Sequence, residues 1–126
     1  QRDLANFEAA VNAGSGEAFF TAVAPASTAY NGINEYYAND DDLQQAIGDA
    51  MHTEYKTIID AGFLVQLDDA RAAVSYDRMV PPKSLKESRT WLAKQVEITN
   101  HAIKGLPRDR IRRPAVVAAQ LEPFLP

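Results

Sequence analysis

Two short apolar runs, each followed by turn-forming residues and separated by a long stretch of helical periodicity, constrain this chain more than any other feature. The first is Phe19-Phe20-Thr21-Ala22-Val23-Ala24, closed by Pro25, and the second is Phe63-Leu64-Val65-Gln66-Leu67, ending on Asp68-Asp69. Short continuous apolar runs bounded by breakers are the pattern of buried strands. Between them, Leu43, Ile47, Ala50, Met51, Ile58 and Ile59 supply most of an apolar helix face, which predicts a helix over 40–61. Asn39 or Asp40 suits its cap, Asp40, Asp41 and Asp42 suit the positive end of its dipole, and Gly62 ends it.

The flanks extend the pattern. Leu4, Phe7 and Val11 recur at helical spacing before Gly14, predicting a helix over 2–13. Ser84 and Glu87 form a capping box for a helix over 85–104. Leu85, Leu92, Val96, Thr99 and Ile103 lie along one side of it, and Gly105 is its terminator. Residues 25–39, rich in Ser, Asn, Gly and Tyr, read as a long loop, and such loops often carry function. A second irregular stretch follows Asp69 and contains Pro81-Pro82. After Pro107, the arginine-rich segment Arg108 to Arg113 reads as solvated, and Ala115-Val116-Val117-Ala118-Ala119 reads equally as a third strand or a short helix.

Strand, helix, strand, helix is the grammar of parallel βα units with right-handed crossovers. The expected class is therefore α/β: a partial (β/α) barrel of two to three parallel strands with three main helices, in one domain spanning 1–126. A complete (β/α)₈ barrel takes about 250 residues, against 126 here. Helices on one face would leave the other sheet face and both edges open, and a second copy is the simplest cover, so a homodimer that completes the barrel is expected.

Composition removes several classes. The chain has no cysteine, which excludes disulfides, thiolate metal ligands and cysteine nucleophiles. A formal net charge of −4 disfavours nucleic acid and anionic membrane surfaces as partners. No apolar run reaches the length of about 18 residues that a spanning helix needs. The opening Gln1-Arg2-Asp3-Leu4 shows no signal peptide and no initiator Met, which suits a trimmed or internal segment with a cytoplasmic origin as the default. No glycine-rich phosphate loop and no nucleophile elbow is present.

Several phrases occur in a recognisable order: Ala22-Val23-Ala24-Pro25, Asn34-Glu35-Tyr36-Tyr37, Glu54-Tyr55, Asp60-Ala61-Gly62-Phe63, Val65-Gln66-Leu67-Asp68-Asp69-Ala70, and Asn100-His101-Ala102-Ile103-Lys104-Gly105-Leu106-Pro107. Together they resemble the catalytic C-terminal half of cobalamin-independent methionine synthase, and more closely its stand-alone bacterial paralogues, from about residue 3 to residue 112. The resemblance implies a (β/α)₈ barrel in which zinc activates a thiol for methyl transfer, with Asp68 matching an aspartate that contacts the amino-acid substrate. The family continues after the arginine matched by Arg112 with an aromatic-His-x-Cys-Trp-Gly type stretch that supplies zinc ligands. Here the text is Arg113-Pro114-Ala115-Val116-Val117-Ala118-Ala119, with neither His nor Cys, which counts against inherited methyl transfer.

The candidate site follows from position. Asp68 and Asp69 end a strand where βα folds place their chemistry. With Glu35 they could hold a divalent metal ion or serve as general base, in a metal-assisted hydrolase or lyase. Tyr30, Asn34, Tyr36 and Arg71 are the expected walls and polar contacts of a small-molecule pocket. The rival reading makes one aspartate a cap for the next turn with its neighbour in solvent, packs the tyrosines of a surface loop over the helices, and makes Arg71 an ion-pair partner. His52 and His101 fall on helices away from the strand ends, a poor place for ligands or catalysts. A non-catalytic, self-associating barrel fragment is the functional alternative.

Overall fold

A computed structural model describes residues 2–12, 17–29 and 32–112. Their order is α1 (Arg2–Val11), β1 (Phe19–Val23), α2 (Pro25–Thr28), α3 (Asp40–Asp60), β2 (Leu64–Asp68), α4 (Ala70–Met79), α5 (Leu85–Ala102), a 3₁₀ turn (Arg108–Arg110) and β3 (Ile111–Arg112). The strands form one parallel sheet in the order β1-β2-β3. Sequential neighbours, all parallel, with a helical connection between each pair, make a singly wound α/β sheet. The apolar run 115–119 and Gly14 lie outside the described residues.

The caps act as the sequence implies. Asn39 accepts a hydrogen bond from the Asp42 amide at the start of α3. At its end Gly62 turns the chain with φ +90°, Gly62 N–H donates to the Ile59 carbonyl and Phe63 N–H to that of Ile58. That paired closure is the Schellman geometry, which a residue free to take positive φ makes possible. It sends Phe63 straight into β2. On α5 the Ser84–Glu87 capping box closes in both directions.

Alternation along the strands separates the two sheet faces. Phe20 and Ala22 of β1, Val65 and Leu67 of β2, and Ile111 of β3 join one core cluster with Met51, Tyr55 and Ile58 of α3 and Ala102 of α5. Phe7 of α1 closes one side of that core, edge-on to Phe20 at 5.3 Å and to Phe63 at 5.0 Å between ring centroids. On the opposite sheet face, Phe19, Thr21, Val23 and Asp68 are exposed, Gln66 is half-buried and Leu64 is buried. Arg112 of β3 pairs with Glu17, just before β1, so this ion pair links the outer strands across the middle one.

Four sequence expectations need correction. The stretch after Asp69 is a helix, α4, because Asp69 caps it and the small residues Ala72 and Ser75 are its buried positions. The loop over 25–39 begins with the helical turn α2, which Pro25 starts as its first residue. The arginine-rich segment supplies β3, whose Ile111 pairs with Val65. On α5 the buried side is Ser88, Gln95, Val96, Ile98, Thr99 and Ala102, whereas Leu85 is exposed.

Candidate functional site at the strand carboxyl ends

In parallel βα folds the carboxyl ends of neighbouring strands open onto one side, where the connecting segments gather. Here β1 and β2 end in register, with Val23 opposite Asp68. The Ala24 amide extends the ladder by donating to the Asp68 carbonyl at 2.8 Å. Beyond the ladder, the Arg71 amide donates to Ser27 Oγ at 3.2 Å. These two bonds tie the segment after β1 to the segment after β2.

Beneath them lies Tyr55 of α3, fully buried, with its hydroxyl donating to the Val23 carbonyl at 2.6 Å. Burial pushes the phenol pKa well above its ordinary range, with the negative charges of Glu54 and Asp69 adding to the effect. Thr28 returns its hydroxyl to the Ala24 carbonyl at 3.2 Å. That carbonyl also accepts the Ser27 and Thr28 amides, while the buried Tyr55 hydroxyl finds its partner in the Val23 carbonyl, as buried polar groups must.

The two aspartates have different surroundings. Asp69 is buried and its Oδ1 accepts from the Ala72 amide at 3.3 Å, capping α4. Burial raises its pKa above the ordinary carboxylate value, opposed by the Ala72 hydrogen bond and reinforced by the Asp68 charge. Asp68 is exposed at the end of β2. Arg71, half-buried on α4, lies with its guanidinium carbon 6.0 Å from the centre of the Trp91 ring.

Glu35 is exposed. Asn34 is engaged locally, its Oδ1 accepting from the Tyr37 amide at 2.9 Å and its Nδ2 donating to Asp40 at 3.3 Å. Tyr36 is 90% exposed and stands edge-on to Tyr37 at 5.1 Å. Tyr30 lies outside the described residues. Among the described residues no group of three or more His, Asp or Glu side chains gathers as a metal ion would require.

Both histidines join α3 to α5. His52 Nδ1 lies 2.9 Å from the Ala102 carbonyl, which can only accept, so this nitrogen carries the proton. His101 Nε2 lies 2.6 Å from Asp49 Oδ1. Sequence reasoning missed Ser27 and Tyr55 as the residues that order the strand ends. The available signals were Tyr55 at helical spacing from Met51 and Ile58, and the hydroxyl of Ser27 just after Pro25.

Fold and site define a singly wound parallel α/β unit with one exposed carboxylate at its strand ends. No family model matches the chain, and no curated protein or solved structure is significantly similar to it. No helix among the described residues is long and apolar enough to cross a membrane.

Proposed function

We infer that this chain is a barrel-type α/β unit, related to the cobalamin-independent methionine synthases it resembles, that self-associates through its open sheet. The observation behind this reading is the sheet itself. Three parallel strands in sequential order carry their helices against one face, while Phe19 and Val23 on the other are 45% and 43% exposed. That face and the outer strand edges resemble an opened barrel, and a second copy offers matching edges about a two-fold axis along the barrel. Val23→Asp tests it: light scattering on the parent should give a dimer at micromolar concentration, and the variant a folded monomer. A parent that stays monomeric at that concentration removes the reading.

In such a dimer Asp68 is the carboxylate offered to a small polar ligand, because Asp69 is committed to α4. Two such strand ends would face one shared mouth. The more ambitious reading, a metal-assisted hydrolase or lyase using Asp68, Asp69 and Glu35 with a divalent cation, draws on Asp68 alone for an exposed strand-end carboxylate. Elemental analysis of the purified dimer separates the two. Stoichiometric metal that disappears in Asp68→Ala supports the catalytic reading, whereas metal-free protein supports the non-catalytic assembly.

A further inference from the structure

Between α2 and α3, Ile33 and Tyr36 are the most exposed large apolar side chains among the described residues, at 86% and 90%. Tyr37, 38% exposed, stands edge-on to Tyr36. Isolated exposed apolar residues are ordinary, but three within five residues of one loop form a patch. The loop carrying them is held in shape. Asn34 bonds both the Tyr37 amide and Asp40, while Asn39 bonds the Asp42 amide and the Asp42 carboxylate at 2.9 Å each. Tyrosines presented on an ordered backbone lose little entropy on contact and are typical anchors of protein interfaces.

Charge narrows the partner. From Gly32 to Tyr55 the chain carries Glu35, Asp40, Asp41, Asp42, Asp49 and Glu54 and no lysine or arginine. Lys94 reaches in from α5 to Asp41 at 3.3 Å, and His101 meets Asp49. Neither faces Glu35, Asp40 or Asp42 in an ion pair. The start of α3 offsets part of this charge through its dipole. A nucleic acid or an anionic bilayer would be repelled, whereas a guanidinium both stacks on a tyrosine face and pairs with a carboxylate.

We propose that the Ile33–Asp42 loop is a docking surface for an arginine-bearing, partly apolar protein segment, with Tyr36 as its anchor and Glu35 and Asp40 as its charge partners. Docking there does not depend on self-association.

Fluorescence anisotropy with the purified full chain tests this, using a labelled peptide in which arginine alternates with leucine and glycine. The parent should bind it. Tyr36→Ser, which keeps the charge and alters a solvent-exposed ring, should weaken binding by about tenfold, the scale of an interface anchor. Glu35→Gln should weaken it by roughly threefold, and Asp60→Asn at the far end of α3 should not, since a specific surface distinguishes equal charge changes. Circular dichroism should show all three variants folded. No binding by the parent, or parent-like binding by Tyr36→Ser, overturns the proposal. So do equal losses in Glu35→Gln and Asp60→Asn, which would mean attraction to net charge only. Binding to neutral phosphatidylcholine vesicles that Tyr36→Ser abolishes, without peptide binding, would assign the patch to a lipid surface instead.

Discussion

The Tyr55 hydroxyl donates to the Val23 carbonyl at 2.6 Å, fastening the C-terminal third of α3 to the last residue of β1. The ring is fully buried in the core that the sheet shares with α3 and α5, so one side chain serves both the packing and the strand end. Removing the hydroxyl alone, in Tyr55→Phe, should cost about 1 kcal/mol, the net worth of a typical hydrogen bond. Tyr55→Ala should cost about 3–5 kcal/mol, by analogy with aromatic-to-alanine changes in other cores. Urea unfolding of the two variants measures the difference between the bond and the ring.

The same residue sets an alkaline limit. Burial raises the Tyr55 pKa in the folded chain above its ordinary value of 10.0. Above that pH the unfolded chain releases the phenolic proton and the folded chain keeps it. The unfolded state then binds fewer protons, and stability falls as pH rises. Parent protein should therefore lose stability above pH 10 more steeply than Tyr55→Phe. Parallel slopes for the two would show that the phenol does not contribute.

Asp69 gives a sign that can be checked at the acid end. Its pKa is raised from the ordinary 3.8, chiefly by burial, so its charged form at neutral pH works against the fold even while it caps α4. Asn caps as well as Asp and keeps an acceptor for the Ala72 amide without the charge. Asp69→Asn is expected to equal or exceed the parent in stability at pH 7. That advantage should shrink as pH falls through the raised folded value and vanish below the unfolded value of 3.8, where the parent's carboxyl is protonated in both states. Asp69→Ala, which loses the cap, should cost about 1 kcal/mol.

What the sequence displayed follows from what each element buries. The runs at Phe19 and Phe63 and the Gly62 stop were visible because large apolar residues and a positive-φ glycine leave clear marks. Helix α4 left none, since its buried positions Ala72 and Ser75 are small and weakly apolar. Pro25 was read as the end of a strand although it equally begins a helix. Strand β3 is two residues long, one of them charged, and exists by pairing with Val65 and Gln66. Asp69 is a cap and Asp68 its solvated neighbour. Only tertiary structure could separate them, because adjacent identical residues carry no sequence signal of which one turns inward.

Thr99 offers a further stability test. It is 6% exposed on α5, and its hydroxyl has no hydrogen-bond partner among the described residues. A buried hydroxyl left unpaired costs about 1–3 kcal/mol. Thr99→Val keeps the shape and removes the polar atom, so it should raise the midpoint of urea unfolding with little change in slope. Thr99→Ser, which keeps the hydroxyl and deletes a methyl group, should lower it.

The proposed site residue Asp68 and the histidine clasp between α3 and α5 can be told apart with three substitutions. Asp68 is exposed at the end of β2, so Asp68→Asn should change stability by less than about 0.5 kcal/mol. Under the proposed function its effect falls on ligand binding at the strand ends, where loss of the charge should weaken a cationic or hydrogen-bond-donating ligand. His52 and His101 contact Ala102 and Asp49 across the α3–α5 boundary, beside Gly48, where an added Cβ would meet the His101 ring at 3.1 Å. His52→Ala removes a donor from a carbonyl at the end of α5 and should cost about 1 kcal/mol of stability. His101→Ala should cost less, because its ion pair with Asp49 is largely solvent-exposed. Neither histidine variant should change ligand binding once folded. Should His52→Ala or His101→Ala abolish binding in a folded protein while Asp68→Asn does not, the site lies at the α3–α5 boundary and the strand-end assignment is wrong.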